Sequence, residues 1–334
     1  MRALKKIIDY FRVIEWYDSK IPFMLCGFIF CVILADSGDV RDITIKFFLY
    51  FIYLAAFLSF SYLINDYSDM EADKLAGKKK VIFDVDKWLT TFVLIMLPVC
   101  GVVPLWIYLN FNMLYMGLSV IVYFLGAAYS ISLFRFKERG FIGLLECSVA
   151  QRCIPLLIIP FLVDAYNIYF VLWIVISFID GIRYLVIHQY VDRENDIKAG
   201  VRTFITEHKI NAKKLLVTLF FLESAIFLFI FIKMFMINHY AVVFLVLYVI
   251  YEWIISIVVT KYMQVEWFCS FLAVPLEDLF NVFLLMIVLV YLDTVDLRFL
   301  ILTVLGVLLT VRCFIGKTAF VKVFIESKLR RKRL

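Results

Sequence analysis

The 334-residue chain is short of charge. Asp, Glu, Lys and Arg make up 19% of it, against 64% hydrophobic residues. A soluble domain is usually about 45–50% apolar, so this deficit excludes an ordinary soluble protein. Polar–apolar alternation is missing as well. The apolar runs are continuous and about twice the length of a barrel strand, which excludes a transmembrane β-barrel. The seven cysteines, Cys26, Cys31, Cys100, Cys147, Cys153, Cys269 and Cys313, form no CxxC pair, and nearly all fall inside apolar runs; they read as buried, reduced thiols. No signal-peptide pattern opens the chain, because "MRALKKIIDYFRVIEWYDSK" is too polar and too long for a signal n-region. Residues 1–20 read instead as an amphipathic cytoplasmic segment, an interfacial helix feeding the first span.

What is present is a succession of apolar runs, each long enough to cross the roughly 30 Å hydrocarbon core. Backbone exposed to lipid must satisfy its own hydrogen bonds, so the runs are expected to be helices. Spans are predicted near 21–36, 44–64, 88–109, 112–134, 142–163, 168–190, 213–236, 240–260, 268–292 and 297–316, nine or ten in all. The fold class is therefore all-α, a polytopic membrane helical bundle. Its transmembrane domain is expected over 21–316, with pseudo-repeats at about 21–140 and 141–260 and further spans at 268–316. The basic tail at 317–334, ending "KLRRKRL", suits an anionic inner leaflet. With the N-terminus in the cytoplasm and ten spans, 28 of the 34 Lys and Arg fall on the inside and four on the outside. Both termini and the motif loops are then cytoplasmic. A net charge of +6 would suggest nucleic acid in a soluble chain. Here the positive residues mark span ends, and the expected partners are membrane lipids, not nucleic acid.

At the inner end of the second span, "NDYSDMEADKLAGKKK" packs Asp66, Asp69, Glu71 and Asp73 into eight residues and follows them with lysines. The pattern recurs. Asp69, Glu71, Asp73, Ala76 and Gly77 match Asp192, Glu194, Asp196, Ala199 and Gly200 at a constant offset of 123, and both segments follow an even-numbered span. Asn65, Asp69 and Asp73 are spaced by four, as are Asp192 and Asp196, which stacks each set on one helical face. Like charges at that spacing destabilise a helix, so something cationic must balance them. Mg²⁺ takes hard oxygen ligands and is usually held by one or two carboxylates plus substrate phosphates. Asp69, Asp73, Asp192 and Asp196 are the candidate metal ligands, and the neighbouring bases are candidates for the phosphates.

These residues resemble a known family. "NDYSDMEAD" resembles the NxxxDxxxD motif of UbiA-superfamily intramembrane prenyltransferases, "DRENDIKAGVRT" their second DxxxD motif, and "YSISLFRFKERG" at 129–140 the Tyr-Ser segment and basic loop after their fourth span. The resemblance covers roughly residues 15–260. It implies a bundle of about nine spans around a central cavity, with Mg²⁺ and a prenyl diphosphate held by the two motifs and the prenyl group passed to an acceptor. By position, Asn65, Asp69 and Asp73 match the first motif and Asp192 and Asp196 the second, the aspartates being the catalytic set. Lys137 or Arg135 matches the basic residue near the diphosphate, and Lys20 sits just before the first span where another basic or polar residue is common. Arg202, within the second motif's extension, joins the diphosphate-binding set. One departure is "KLAGKKKVI" after the first motif, where the aromatic prenyltransferases often carry an HP-type segment.

An allylic diphosphate ionises at its C–O bond, so the barrier is dominated by charge separation, which cations on the leaving group lower. Aromatic faces attract the developing carbocation. Tyr129, Tyr184 and Tyr190 flank the motifs and are candidates for the acceptor or cation pocket. His188, one turn before Asp192, is a candidate to position the acceptor or to act as a base. Within the spans, Asp180 and Arg183 either pair at i, i+3 or send Arg183 to a phosphate. Arg152 and Glu146 in the fifth span are open in the same way, between an ion pair and a phosphate contact, and the pair Glu277–Asp278 either lines the cavity or marks a cytoplasmic kink. The rival readings are a UbiA-type terpene cyclase, a polyprenyl-phosphate phosphoribosyl-type transferase and, outside enzymes, a secondary transporter with acidic ion sites.

Overall fold

The computed structural model describes residues 2–35, 39–75, 77–164, 166–200, 202–207, 211–237, 239, 241–251, 285, 289–292 and 296–308. Most of the expected span at 268–292 with Glu277 and Asp278, the end of the span at 297–316, and the basic tail at 317–334 lie outside the described residues. Among the described residues the secondary structure is helical, apart from one isolated bridge between Gly140 and Thr203. In chain order the helices are α1 (Arg2–Tyr10), α2 (Val13–Ala35), α3 (Val40–Ser68), α4 (Met70–Leu75), α5 (Lys87–Tyr108), α6 (Met113–Ala128) and α7 (Gly140–Ser148). They continue with α8 (Ile154–Leu156), α9 (Ile159–Leu162), α10 (Ile168–Ala199), α11 (Phe204–Glu207) and α12 (Ala212–Ile237).

Among the described residues, six stretches are long and apolar enough to cross a membrane: Val13–Ala35, Val40–Ser68, Lys87–Tyr108, Gly140–Leu162, Ile168–Tyr190 and Ala212–Ile237. Shorter apolar helices run over Met113–Ala128, Ala241–Tyr251 and Leu297–Leu308. The architecture is the polytopic helical bundle expected from the composition. Its helix starts are written locally. Asp86, Asn112 and Asn167 each accept two backbone N–H bonds from the first turn of α5, α6 and α10, donors that would otherwise be unsatisfied.

The bundle is organised around α2, 81% of whose apolar window is buried, whereas only 22% of that of α12 is. Outward positions such as Phe92 and Ile95 on α5 and Phe221 and Phe229 on α12 are apolar and exposed, as lipid contact requires. Inside, Trp173 of α10 stacks on Phe23 at 5.3 Å and lies 5.7 Å from Phe30, and Phe28 stacks on Tyr50 at 5.7 Å. Offset aromatic pairs of this kind add about 0.5–1.5 kcal/mol beyond the area they bury. These contacts lock α2 against α3 and α10, the two helices that carry the acidic motifs.

Three local features depart from the simple span list. The predicted span 142–163 is not one helix: α7 passes into a π turn, Val149–Cys153, and then into the short α8 and α9. Pro155 and Pro160 lack an N–H, so neither can donate to a carbonyl one turn back, and the coil widens and breaks around them. The second concerns the first span: helix α2 already begins at Val13, so Lys20 sits within it, 4% exposed, rather than ahead of it. Third, α3 stops at Ser68, with Asp69 at φ −95° and ψ 4°, and α4 restarts at Met70. Gly77 and Gly200 both take left-handed φ, +70° and +68°. Each follows a motif and takes a conformation in which a side chain would be strained.

Candidate active site

A cavity of about 480 Å³ opens among α2, α3, α6, α7, the π turn and α10. Each wall is set by a local device. Helix α3 contributes Ser61, Tyr62 and Asn65 on one face, and Asp69 follows at its end. Helix α10 contributes Gly181, Tyr184, Leu185 and His188, the i, i+3, i+4, i+7 spacing of one helical face. The π turn presents Gln151 and Arg152, α2 presents Lys20, and the α1–α2 junction presents Arg12.

The polar centre is built on Asn65. Its Oδ1 accepts from Ser130 Oγ at 2.9 Å and from Lys137 Nζ at 3.2 Å, and the same ammonium donates to Asp69 Oδ2 at 2.5 Å. Arg135, in the left-handed region at φ 43°, reaches Asp69 Oδ1 at 3.6 Å while pairing with Glu138 at 2.7 Å. Opposite, Lys20 Nζ donates to Gln151 Oε1 and lies 4.8 Å from the Tyr62 ring centroid; the Arg12 guanidinium lies 5.1 Å from that same centroid. Arg152 lies 5.6 Å from the Phe23 ring and 5.9 Å from that of Tyr184, which packs edge-on to His188 at 4.6 Å. Tyr129 and Cys147 both lie on this wall. The lining thus holds four cationic side chains, Arg12, Lys20, Lys137 and Arg152, against a single described carboxylate, Asp69. Such a charge balance fits a polyanion.

Of the residues singled out from sequence, Asn65, Asp69, Lys137, Lys20, His188, Tyr129 and Tyr184 line this one cavity. Others lie elsewhere. Asp73, beyond the break at Asp69, is 6% exposed and held by Lys78 at 2.7 Å and Lys80 at 2.6 Å; Lys80 also reaches Asp66 at 2.5 Å. Burial of Asp73 works against its charge, but the bonds from Lys78 and Lys80 outweigh it and keep the carboxyl below its ordinary range. Arg135 pairs with Asp69 from outside the lining. Tyr190 packs on an apolar cluster that includes Leu144, Val186 and Phe204, and Arg202 is exposed. Asp196 is partly buried near the end of α10, where its carbonyl accepts from the Gly200 N–H. Asp192 lies in the same continuous helix as His188; its side chain is outside the described residues. Among the described residues, no three His, Cys, Asp or Glu side chains gather as a complete metal centre.

Sequence reasoning missed Arg12, Tyr62, Cys147 and Gln151 as cavity residues and left Arg152 open between an ion pair and a phosphate contact. Arg12 reads in sequence as one more interfacial base. What brings it inward is its own backbone, at φ 49°, which breaks α1 from α2 and lets NH1 reach Asp66 Oδ1 at 3.3 Å. Gln151 and Arg152 reach the cavity because the π turn rotates them there. Two prolines within six residues were the available signal.

The chain was compared with known proteins. The family model described as the UbiA prenyltransferase family matches residues 23–276. No curated protein matches it. A solved structure described as digeranylgeranylglyceryl phosphate synthase in membranes is similar in fold at 15% identity, with a TM-score of 0.57, covering 87% of this chain and 98% of that one.

Proposed function

This chain belongs to the UbiA prenyltransferase family, and from that premise we propose that it moves a prenyl group from a prenyl diphosphate to an acceptor in the cavity bounded by α3 and α10, with Mg²⁺ and release of pyrophosphate. As an integral multi-pass membrane prenyltransferase it takes prenyl-type substrates. The observation that carries the finer reading is the lining of four cations around Asn65 and Asp69. A diphosphate head is matched by those charges, and the aromatic and apolar walls match its tail.

The donor set fits a magnesium ion. Asn65 Oδ1 and Asp69 Oδ2 already share one cation, the Lys137 ammonium, at 3.2 and 2.5 Å. Magnesium needs few protein ligands when phosphates complete its octahedron. Asn65 of α3 and Asp69 at its end, with Asp192 and Asp196 from α10, would hold it. When bound, the ion neutralises charge on the diphosphate oxygens.

The rest falls to side chains. Lys137, Lys20, Arg12 and Arg152 bind the diphosphate and stabilise the charge that grows on it as the C–O bond breaks, its electron pair leaving with pyrophosphate. The Tyr62 and Tyr184 rings face the developing carbocation, each contributing on the order of 0.5–2 kcal/mol. The apolar bundle excludes water, which would quench that cation. The acceptor's nucleophilic atom bonds to the allylic carbon, and His188, on the α10 wall, takes the proton it loses. The ends of α3 and α10, with their bases, form the face we assign to the cytoplasm.

The test uses the full chain, purified in lipid nanodiscs. It is given labelled prenyl diphosphates of several lengths and a membrane-lipid extract as the source of acceptor, with Mg²⁺ or with a chelator. Pyrophosphate release and a prenylated product, both abolished by the chelator, are expected. A product lacking any acceptor atoms would replace this reading with a cyclase, and turnover indifferent to Mg²⁺ would remove the metal from it.

A further inference from the structure

We propose that Glu223 of α12, far in sequence from both acidic motifs, is a positioning residue for the transfer reaction, acting through Arg183 and Asp180 on Arg152 in the cavity wall. The inference rests on the reading above, in which Arg152 meets the diphosphate.

The four residues form one chain of ion pairs across three elements. Arg152 NH2 lies 3.2 Å from Asp180 Oδ2, Arg183 NH2 lies 2.9 Å from Asp180 Oδ1, and Arg183 Nε lies 2.7 Å from Glu223 Oε2. All are buried: Arg152 and Asp180 are 4% exposed, Arg183 1% and Glu223 0%. Signs alternate along the chain, so it is neutral as a whole. Charges at membrane depth are costly, and pairs of them add little stability that apolar packing would not supply. A purely structural cluster has no need to end on a cavity. This one ends on Arg152, which lines the substrate cavity between the Phe23 and Tyr184 rings.

The geometry also gives the coupling. Asp180 is shared, one oxygen to each guanidinium, so Arg152 and Arg183 compete for a single carboxylate. Glu223 satisfies Arg183 from the other side and thereby leaves Asp180 free to hold Arg152. Without the Glu223 charge, Arg183 draws Asp180 to itself and Arg152 loses its anchor, although nothing that touches substrate has changed.

The experiment measures kcat and KM for labelled prenyl diphosphate on the full chain in nanodiscs. Glu223→Gln should lower kcat by about tenfold with little change in KM, the size expected when a reacting-site group is misplaced by a fraction of an ångström. Arg152→Gln should lower it at least as much, and adding Glu223→Gln to that background should lower it no further, because the two act on one pathway. The variant Arg183→Met with Glu223→Leu removes the competitor and its partner together. It leaves Asp180 to Arg152 alone and keeps the bundle apolar, so it should fold and turn over within about threefold of wild type.

A folded Glu223→Gln protein with wild-type kcat, losses that multiply in the double variant with Arg152→Gln, or an Arg183→Met/Glu223→Leu protein as slow as Arg152→Gln would each overturn the inference. If Lys137→Ala is inactive while Arg152→Gln is not, the positioning role fails and the proposed reaction stands. If wild type transfers no prenyl group at all, both fail.

Discussion

Lys137 is the cation most tightly bound into the polar centre, and removing it gives the most direct test of the cavity. In Lys137→Ala the ammonium that now donates to Asp69 Oδ2 at 2.5 Å and Asn65 Oδ1 at 3.2 Å is gone. The protein should still fold, because Asp69 keeps Arg135 at 3.6 Å and Asn65 keeps Ser130 at 2.9 Å. A unit charge about 4 Å from a phosphate oxygen, in surroundings of effective dielectric about 20, is worth about 4 kcal/mol. The side chains of Lys137 and Asp69 are 16% and 20% exposed, so screening is partial. Three further cations line the same cavity and take up part of the lost charge. Discounting for both leaves roughly 2–3 kcal/mol, a loss on the order of 10²-fold in kcat/KM. The assay is pyrophosphate release from labelled prenyl diphosphate at subsaturating concentration, with thermal unfolding measured in parallel. Lys137→Arg keeps the charge and should recover to within about tenfold of wild type, short of it because the planar fork differs from a point charge. A folded Lys137→Ala protein within about threefold of wild type would refute the placement of the diphosphate against this residue.

Three further outcomes follow from the same geometry. A Cβ added at Gly143 would come within 2.1 Å of the Phe136 carbonyl oxygen, so Gly143→Ala should push away the turn that carries Lys137, costing about 1–3 kcal/mol of stability by thermal unfolding and depressing turnover with it. Arg12→Gly and Arg12→Ala should both raise KM for the prenyl diphosphate, but Arg12→Gly should be the more stable by about 1–2 kcal/mol because only glycine takes φ 49° without strain. The buried Asp66–Lys80–Asp73 cluster should set the pH limits of stability. The depressed Asp73 carboxyl contributes stability above its ordinary value of 3.8 that is lost as pH falls through its lower folded value. Burial opposes the Lys80 charge, but its bonds to Asp66 and Asp73 outweigh it and raise its pKa, so its contribution is complete below 10.5 and lost as pH rises through the higher folded value. Unfolding followed over both pH limbs should show both losses, and Asp73→Asn should flatten the acid one.

Length, composition and the two acidic motifs settled the class of this protein before any coordinates. Lipid cannot hydrogen-bond a bare backbone, so runs of twenty apolar residues are helices wherever they pack. The four-residue spacing of Asn65 and Asp69 likewise puts both on one side of α3, because a helix repeats every 3.6 residues. Spacing is local, however, and the cavity is not. The break at Asp69 turns Asp73 away toward Lys78 and Lys80, the π turn swings Arg152 onto the cavity, and a left-handed Arg12 brings an interfacial base inward. Arg183 had two available partners in sequence, a phosphate or Asp180. The fold chose Asp180 and added Glu223 from forty residues on. Such choices depend on which buried charge finds an opposite one at contact distance, and only the packing of α10 against α12 and the π turn brings those groups together.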